Sequence, residues 1–183
     1  EVDLDGDFGE GGDLWDESPA SEGETRTKVR RPWNEVRLNR WLSRRFNARL
    51  GPRGVTVIPD SPEGSADRRP DIRLQMNGHT VKVETKGAWN SKVRSAMQTQ
   101  LVDGYLSTNP EAAGCYLVYW PDPIDWTNTK DSRRAGIPAQ WRENVDAARR
   151  ELATQASSQH RLVKSTVLRI ARRPTASNEE TDK

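Results

Sequence analysis

The sequence predicts an α/β domain: one mixed sheet flanked by helices, in the order α-β-β-β-α-β-α-β. Three observations carry this. Asn77-Gly78 joins two alternating apolar and polar runs, the strongest short signal for a hairpin closed by a two-residue type I′ turn. The run "GCYLVYW" (114–120) is apolar without a break and of strand length, as in a central strand buried on both faces. Stretches with apolar residues at helical spacing precede, separate and follow these strands.

Residues 1–30 are acidic and rich in Gly and Ser, with almost no apolar periodicity, and are expected to form a disordered linker or arm. The domain proper is expected over 31–173. A helix over 33–50 begins after Pro32 and stops at Gly51-Pro52. Leu38, Leu42 and Phe46 form its apolar stripe. Glu35 falls in the middle of that stripe, where a carboxylate is costly without a partner, unless the first turn reaches solvent. "VTVIP" (55–59) is a short strand, followed by a polar loop and the Asn-Gly hairpin. A second helix is expected over 91–107, with Val93, Met97, Leu101 and Gly104 along one side. After the strand at 114–120 come a Pro- and Trp-rich loop and a third helix within 137–157, with Pro138 near its first turn. A strand within 160–173 ends the domain, and 174–183 are a polar tail.

Length and composition bound the function. The 183 residues suffice for one domain with a real core. The mean hydropathy of −0.93 is low for a packed domain, in keeping with a disordered part. No apolar run approaches a membrane span, no signal peptide opens the chain, and the expected compartment is cytoplasmic. The chain opens on Glu rather than Met, which reads as a piece of a longer polypeptide. A lone cysteine, Cys115, excludes an internal disulfide framework and a Cys-based zinc site. The net charge of +2 hides an asymmetry: residues 1–25 hold ten acids and no base, leaving 29 bases against 17 acids elsewhere. A basic domain behind an acidic arm points to a nucleic-acid or phosphate partner; the bland alternative is that arginine serves solubility.

The hairpin carries the chemistry. A two-residue turn at Asn77-Gly78 pairs Met76 with His79, Leu74 with Val81 and Ile72 with Val83, which makes one apolar face. On the other face Arg73 meets Lys82, Asp71 meets Glu84, and Lys86 lies one period beyond. Direct cross-strand partners have Cβ atoms about 4.5–5.5 Å apart, and like charges there are destabilising. Protonation of one acid, neutralisation by Arg73, Lys82 and Lys86, or a divalent cation would each compensate. Two carboxylates with an ammonium beside them suit phosphodiester hydrolysis. That reaction needs a metal to polarise the phosphoryl group and cationic help for the charge that develops.

Pro70-Asp71 followed by Glu84-Thr85-Lys86 reads as P-D…E-x-K, and with the element order it resembles the PD-(D/E)xK nuclease superfamily of restriction-endonuclease-like fold. The resemblance covers about 33–173. It implies that Asp71 and Glu84 bind Mg²⁺ (with Mn²⁺ as a substitute), that Lys86 assists the water, and that Glu35 joins the metal site. It also implies a Gln and a Tyr on the following helix, where "QTQLVDGYL" offers Gln98, Gln100 and Tyr105. On an α-helix Gln98 shares a face with Tyr105, whereas Gln100 matches the local pattern, so both stay open. The implied activity is metal-dependent endonucleolytic cleavage of DNA, ahead of RNA. The implied setting is a module of a larger bacterial restriction or antiphage defence protein, with a homodimer among the expected assemblies. The alternatives are a catalytically inactive module of the same fold that binds nucleic acid or a protein, and a hydrolase of RNA or small nucleotides.

Other constellations are weaker. His79 and His160 are too few and too far apart for a zinc site, and Cys115 reads as a core residue. Trp120, Trp126 and Trp141 either stack on bases or form a hydrophobic cluster. Arg44-Arg45, Arg133-Arg134 and Arg149-Arg150 are candidate phosphate contacts or solvated surface.

Overall fold

A computed structural model of the chain describes residues 14–20, 28–59, 70–109 and 111–171. In chain order its elements are β1 (Trp15–Pro19), β2 (Lys28–Pro32), α1 (Glu35–Leu50), β3 (Thr56–Pro59), β4 (Ile72–Met76) and β5 (His79–Gly87). A π-helix (Met97–Leu106), β6 (Ala113–Pro121), α2 (Arg133–Gly136), α3 (Val145–Ser157) and β7 (Val163–Ile170) complete it. The main sheet runs β3-β4-β5-β6-β7, antiparallel from β3 to β5 and parallel from β5 to β7. This is the mixed, helix-flanked sheet that the alternation and the apolar run predict.

The hairpin register is the expected one. Asn77 (φ 49°) and Gly78 (φ 80°) both take the positive φ of a type I′ turn. Met76 pairs with His79, Leu74 with Val81 and Ile72 with Val83. Strand β6 is buried along most of its length because the π-helix covers one face of the sheet and α1 the other. Leu38 and Leu42 anchor α1 in the core, with Phe46 packed at its margin.

Several elements differ from expectation, among them the short α2 within the stretch expected to be a Pro- and Trp-rich loop. Residues 15–19 and 28–30, expected within a disordered arm, form with 31–32 an antiparallel pair. Leu14, Trp15 and Val29 drop into the core, and Trp33 N donates to Leu14 O at 3.0 Å. The acids of β1 meet bases: Asp16 Oδ1 lies 2.6 Å from Arg37 Nη1, and Glu17 Oε1 accepts from Arg30 Nε at 3.2 Å. Three apolar side chains and these ion pairs outweigh a composition that reads as disordered. The rest of the expected arm (1–13 and 21–27), the loop at 60–69 and the polar tail lie outside the described residues.

Pro32 closes β2 rather than opening α1; the Asn34 side chain caps that helix by accepting from Arg37 N at 2.9 Å. The third helix likewise starts later than Pro138, at an Asn144 cap that accepts from Ala147 N at 3.0 Å. The second helix is the largest departure. Residues 91–95 are turns, and a π-helix begins at Met97. Ser107 N bonds to Val102 O at 3.1 Å, an i→i+5 bond. Leu101 and Leu106 both pack over Gly114 of β6. On an α-helix residues five apart would point about 140° away from each other; the wider turn brings both onto one glycine.

If the N-terminal pair is part of the folded core, Trp15→Ala lowers unfolding free energy by about 3 kcal/mol in urea titration. A disordered arm would give no change.

Candidate functional site

Strand β5 outruns β4. The β4 ladder ends at Ile72, opposite Val83, so Glu84 to Gly87 pair only with β6. The N–H groups of Thr85 and Gly87 then face the side where β4 is missing. Unpaired, buried backbone donors cost free energy, and here carboxylates take them. Asp71, in the bend that precedes β4, accepts from Thr85 N at 2.7 Å through Oδ2. Glu35, in the first turn of α1, accepts from Gly87 N at 2.8 Å and from Asn90 Nδ2 at 2.9 Å through Oε1. Asp71 therefore is not a rung of the ladder opposite Glu84, as the turn register alone implies. It sits past the strand end and fills the place of the next strand residue. Pro70, which has no N–H to donate, precedes it.

Thr85 holds Asp71 a second time. Its hydroxyl lies 2.8 Å from Asp71 Oδ2 and 2.6 Å from Asn39 Oδ1, and the Tyr119 hydroxyl donates to that same Asn39 oxygen at 2.9 Å. Sequence reasoning missed Thr85, Asn39 and Tyr119. Asn39 had a signal: it follows Glu35 by four residues, so both lie on one face of α1.

Glu84 is 2% exposed, on the face of β5 turned to the π-helix. Lys86 Nζ hydrogen-bonds its Oε1, while Oε2 is buried with no hydrogen-bond partner among the described residues. Burial and then the Asp71 charge push the Glu84 carboxyl up to about 7, against the charge and hydrogen bond of Lys86, which favour its ionised form. For Lys86, burial lowers the pKa, but Glu84, Asp71 and Glu35 together raise it above the ordinary lysine value. Three carboxylates thus act on one buried ammonium. Burial, with Arg73 opposite, holds Lys82 below the ordinary lysine value.

The π-helix separates the two glutamines. Its i→i+5 turn brings Gln100 toward the face of Tyr105, the side turned to Glu84. Gln100 Oε1 is buried without a hydrogen-bond partner among the described residues. Gln98 faces outward and donates to Asp103 Oδ1 at 2.7 Å.

The structure brings together Asp71, Glu84, Lys86, Glu35 and Tyr105, and leaves Gln98 outside. His79 and His160 are exposed on separate elements. Cys115 lies in β6 with its thiol pushed up to about 11 by burial. Trp120, Trp126 and Trp141 are at most 3% exposed, so they belong to the core and cannot stack on bases. Among the arginine pairs, Arg133 and Arg149 bond to Asp131 and Asp146, Arg134 to Trp126 O, and Arg45 lies over the Trp41 ring; Arg44 and Arg150 are exposed.

Among the described residues no three His, Cys, Asp or Glu side chains gather closely enough to make a metal cage. Mg²⁺ does not require one: one or two carboxylates suffice where substrate phosphate and water complete the shell. Asp71 and Glu84 are the two carboxylates that would hold it, and the unpartnered Glu84 Oε2 is a hard oxygen donor of the kind Mg²⁺ takes. No protein-family model, curated protein or solved structure matches the chain.

The pH dependence follows from Glu84 without metal. Between the ordinary glutamate value and about 7 the folded protein keeps a proton that the unfolded chain has lost, so stability falls as pH rises. In EDTA, wild type is expected to lose thermal stability relative to Glu84→Gln as pH goes from about 5 to about 8. Parallel curves for the two proteins would show that Glu84 ionises normally.

Proposed function

We propose that this chain is a metal-dependent nuclease domain of restriction-endonuclease-like type, hydrolysing DNA phosphodiester bonds. The observation that carries this is the buried Glu84 carboxylate, coupled to Asp71 and hydrogen-bonded to Lys86, with one oxygen unpartnered. A structural role explains Asp71 and Glu35, since each satisfies a β5 amide. Glu84 satisfies none; its structural partner is Lys86, and burial raises its pKa where it stands.

On this reading Asp71 and Glu84 would hold Mg²⁺ or Mn²⁺, which supplies polarisation of the phosphodiester and acidification of water when bound. Lys86 contributes a fixed positive charge beside the carboxylates, where it orients the attacking water or offsets charge developing on the phosphoryl oxygens. Thr85, backed by Asn39, holds the Asp71 carboxylate in one orientation. Glu35 fixes the end of β5 through Gly87 and adds to the negative charge, chiefly that of Glu84, that raises the pKa of Lys86. Tyr105 steadies Glu84, and Gln100 offers an unpaired carbonyl oxygen on the same helix. Among the described residues no helix is long and apolar enough to cross a membrane, and the basic excess outside the first 25 residues suits a polyanionic substrate.

The test is plasmid cleavage with Mg²⁺ or Mn²⁺ by wild type, Asp71→Ala and Lys86→Ala. Wild type is expected to nick or cut the plasmid and each variant to be slower by at least about 100-fold, while Gln98→Ala stays within about twofold. Binding of DNA without cleavage by any of the proteins would instead make the chain an inactive binding module. Cleavage of RNA alone would reassign the substrate.

A further inference from the structure

The hairpin register places Arg73 directly opposite Lys82. Alternation along β5 puts Lys82 on the same face as Glu84 and Lys86, one side-chain period before Glu84. Like charges directly across a ladder are destabilising. Elsewhere the fold answers cations with acids: Arg37 has Asp16, Arg94 has Glu151 and Arg169 has Asp122. Among the described residues, neither Arg73 nor Lys82 has a carboxylate partner.

The Lys82 ammonium is nonetheless held in place. Its Nζ donates to Tyr105 O, at the end of the π-helix. A carbonyl is a neutral partner, so the charge is positioned without being cancelled. Arg73 is exposed and offers a planar fork of donors that matches a phosphate bidentately. Residues two apart on a strand are separated by about 6.7 Å. That is on the order of one backbone step of an extended nucleic-acid strand.

We infer that Arg73 and Lys82 form an anion site for the phosphate next to the one cleaved, so that the substrate is a polynucleotide strand running along the β4–β5 hairpin and not an isolated phosphodiester. This rests on the phosphodiesterase reading above. Asp71 and Glu84 mark the cut, and the Arg73–Lys82 rung fixes the register of the strand beside it. The two cations that repel each other in the free protein are then bridged by one phosphate.

The test pairs a labelled DNA oligonucleotide with bis(p-nitrophenyl) phosphate, which has no neighbouring phosphate. Arg73→Gln is expected to raise KM for the oligonucleotide about tenfold with kcat within about twofold. Arg73→Lys should recover only part of that loss, because an ammonium keeps the charge and loses the fork, and all three proteins should turn over the small diester alike. In EDTA, the salt dependence of oligonucleotide binding should fall by about one unit of log–log slope in Arg73→Gln. It should be unchanged in Arg150→Gln, whose helix packs against β7 at the far edge of the sheet. Equal KM and equal slope for wild type and Arg73→Gln would overturn the anion site and leave the phosphodiesterase reading standing. Failure of wild type to cleave or bind DNA would overturn both. Loss of activity on the small diester in Arg73→Gln would make Arg73 part of the central site and overturn its assignment to a neighbouring phosphate.

Discussion

The site exists because β5 is longer than the strand beside it. Four residues, Glu84 to Gly87, run past the end of β4 with parallel β6 on one side only. A buried strand edge with open donors is unstable, and two carboxylates close it, Asp71 on Thr85 and Glu35 on Gly87. That single constraint draws the bend before β4 and the first turn of α1 to the same place. It also leaves the side chains of Glu84 and Lys86 crowded among acids.

The surrounding elements serve this arrangement. Asn39 and Tyr119 reach Thr85 from α1 and β6 and stiffen the seat of Asp71. The π-helix lies over the opposite face, and its wide turn delivers Leu101 and Leu106 to Gly114 and Tyr105 toward Glu84. Trp89 folds back onto the end of β5. A Cβ at Gly87 would come within 2.3 Å of its ring, so any other residue there would displace Trp89. The electrostatic outcome is an excess of negative charge at Glu84 that Lys86 answers only in part. A buried carboxyl whose pKa is raised by burial and a neighbouring charge is the kind of group that clusters at sites of chemistry.

Much of this was legible in the residues. Asn77-Gly78 predicted the turn and the register, and the apolar run at 114–120 predicted the buried central strand. The closeness of Asp71 to Glu84 was legible too, but the manner of it was not. Counting along a ladder assumes the ladder continues, and Pro70 with the bend at Asp71 ends it one residue early. The N-terminal strands were hidden because Leu14 and Trp15 sit in a strongly acidic stretch whose average says disorder, and Val29 stands alone among bases. Their ion pairs with Arg30 and Arg37 are long-range, and no local window contains them. The π-helix was hidden because periodicity was read at the α-helical angle. On that angle Gln98 joined Tyr105; with i→i+5 bonds Gln100 does.

The account turns on whether Asp71 and Glu84 act as one cation site. Isothermal titration of Mn²⁺ into the metal-free protein at about pH 8 tests this without relying on catalysis. The account predicts a single binding event in wild type that is lost in both Asp71→Asn and Glu84→Gln. The absence of binding to wild type, or equal binding to the two variants, would contradict it.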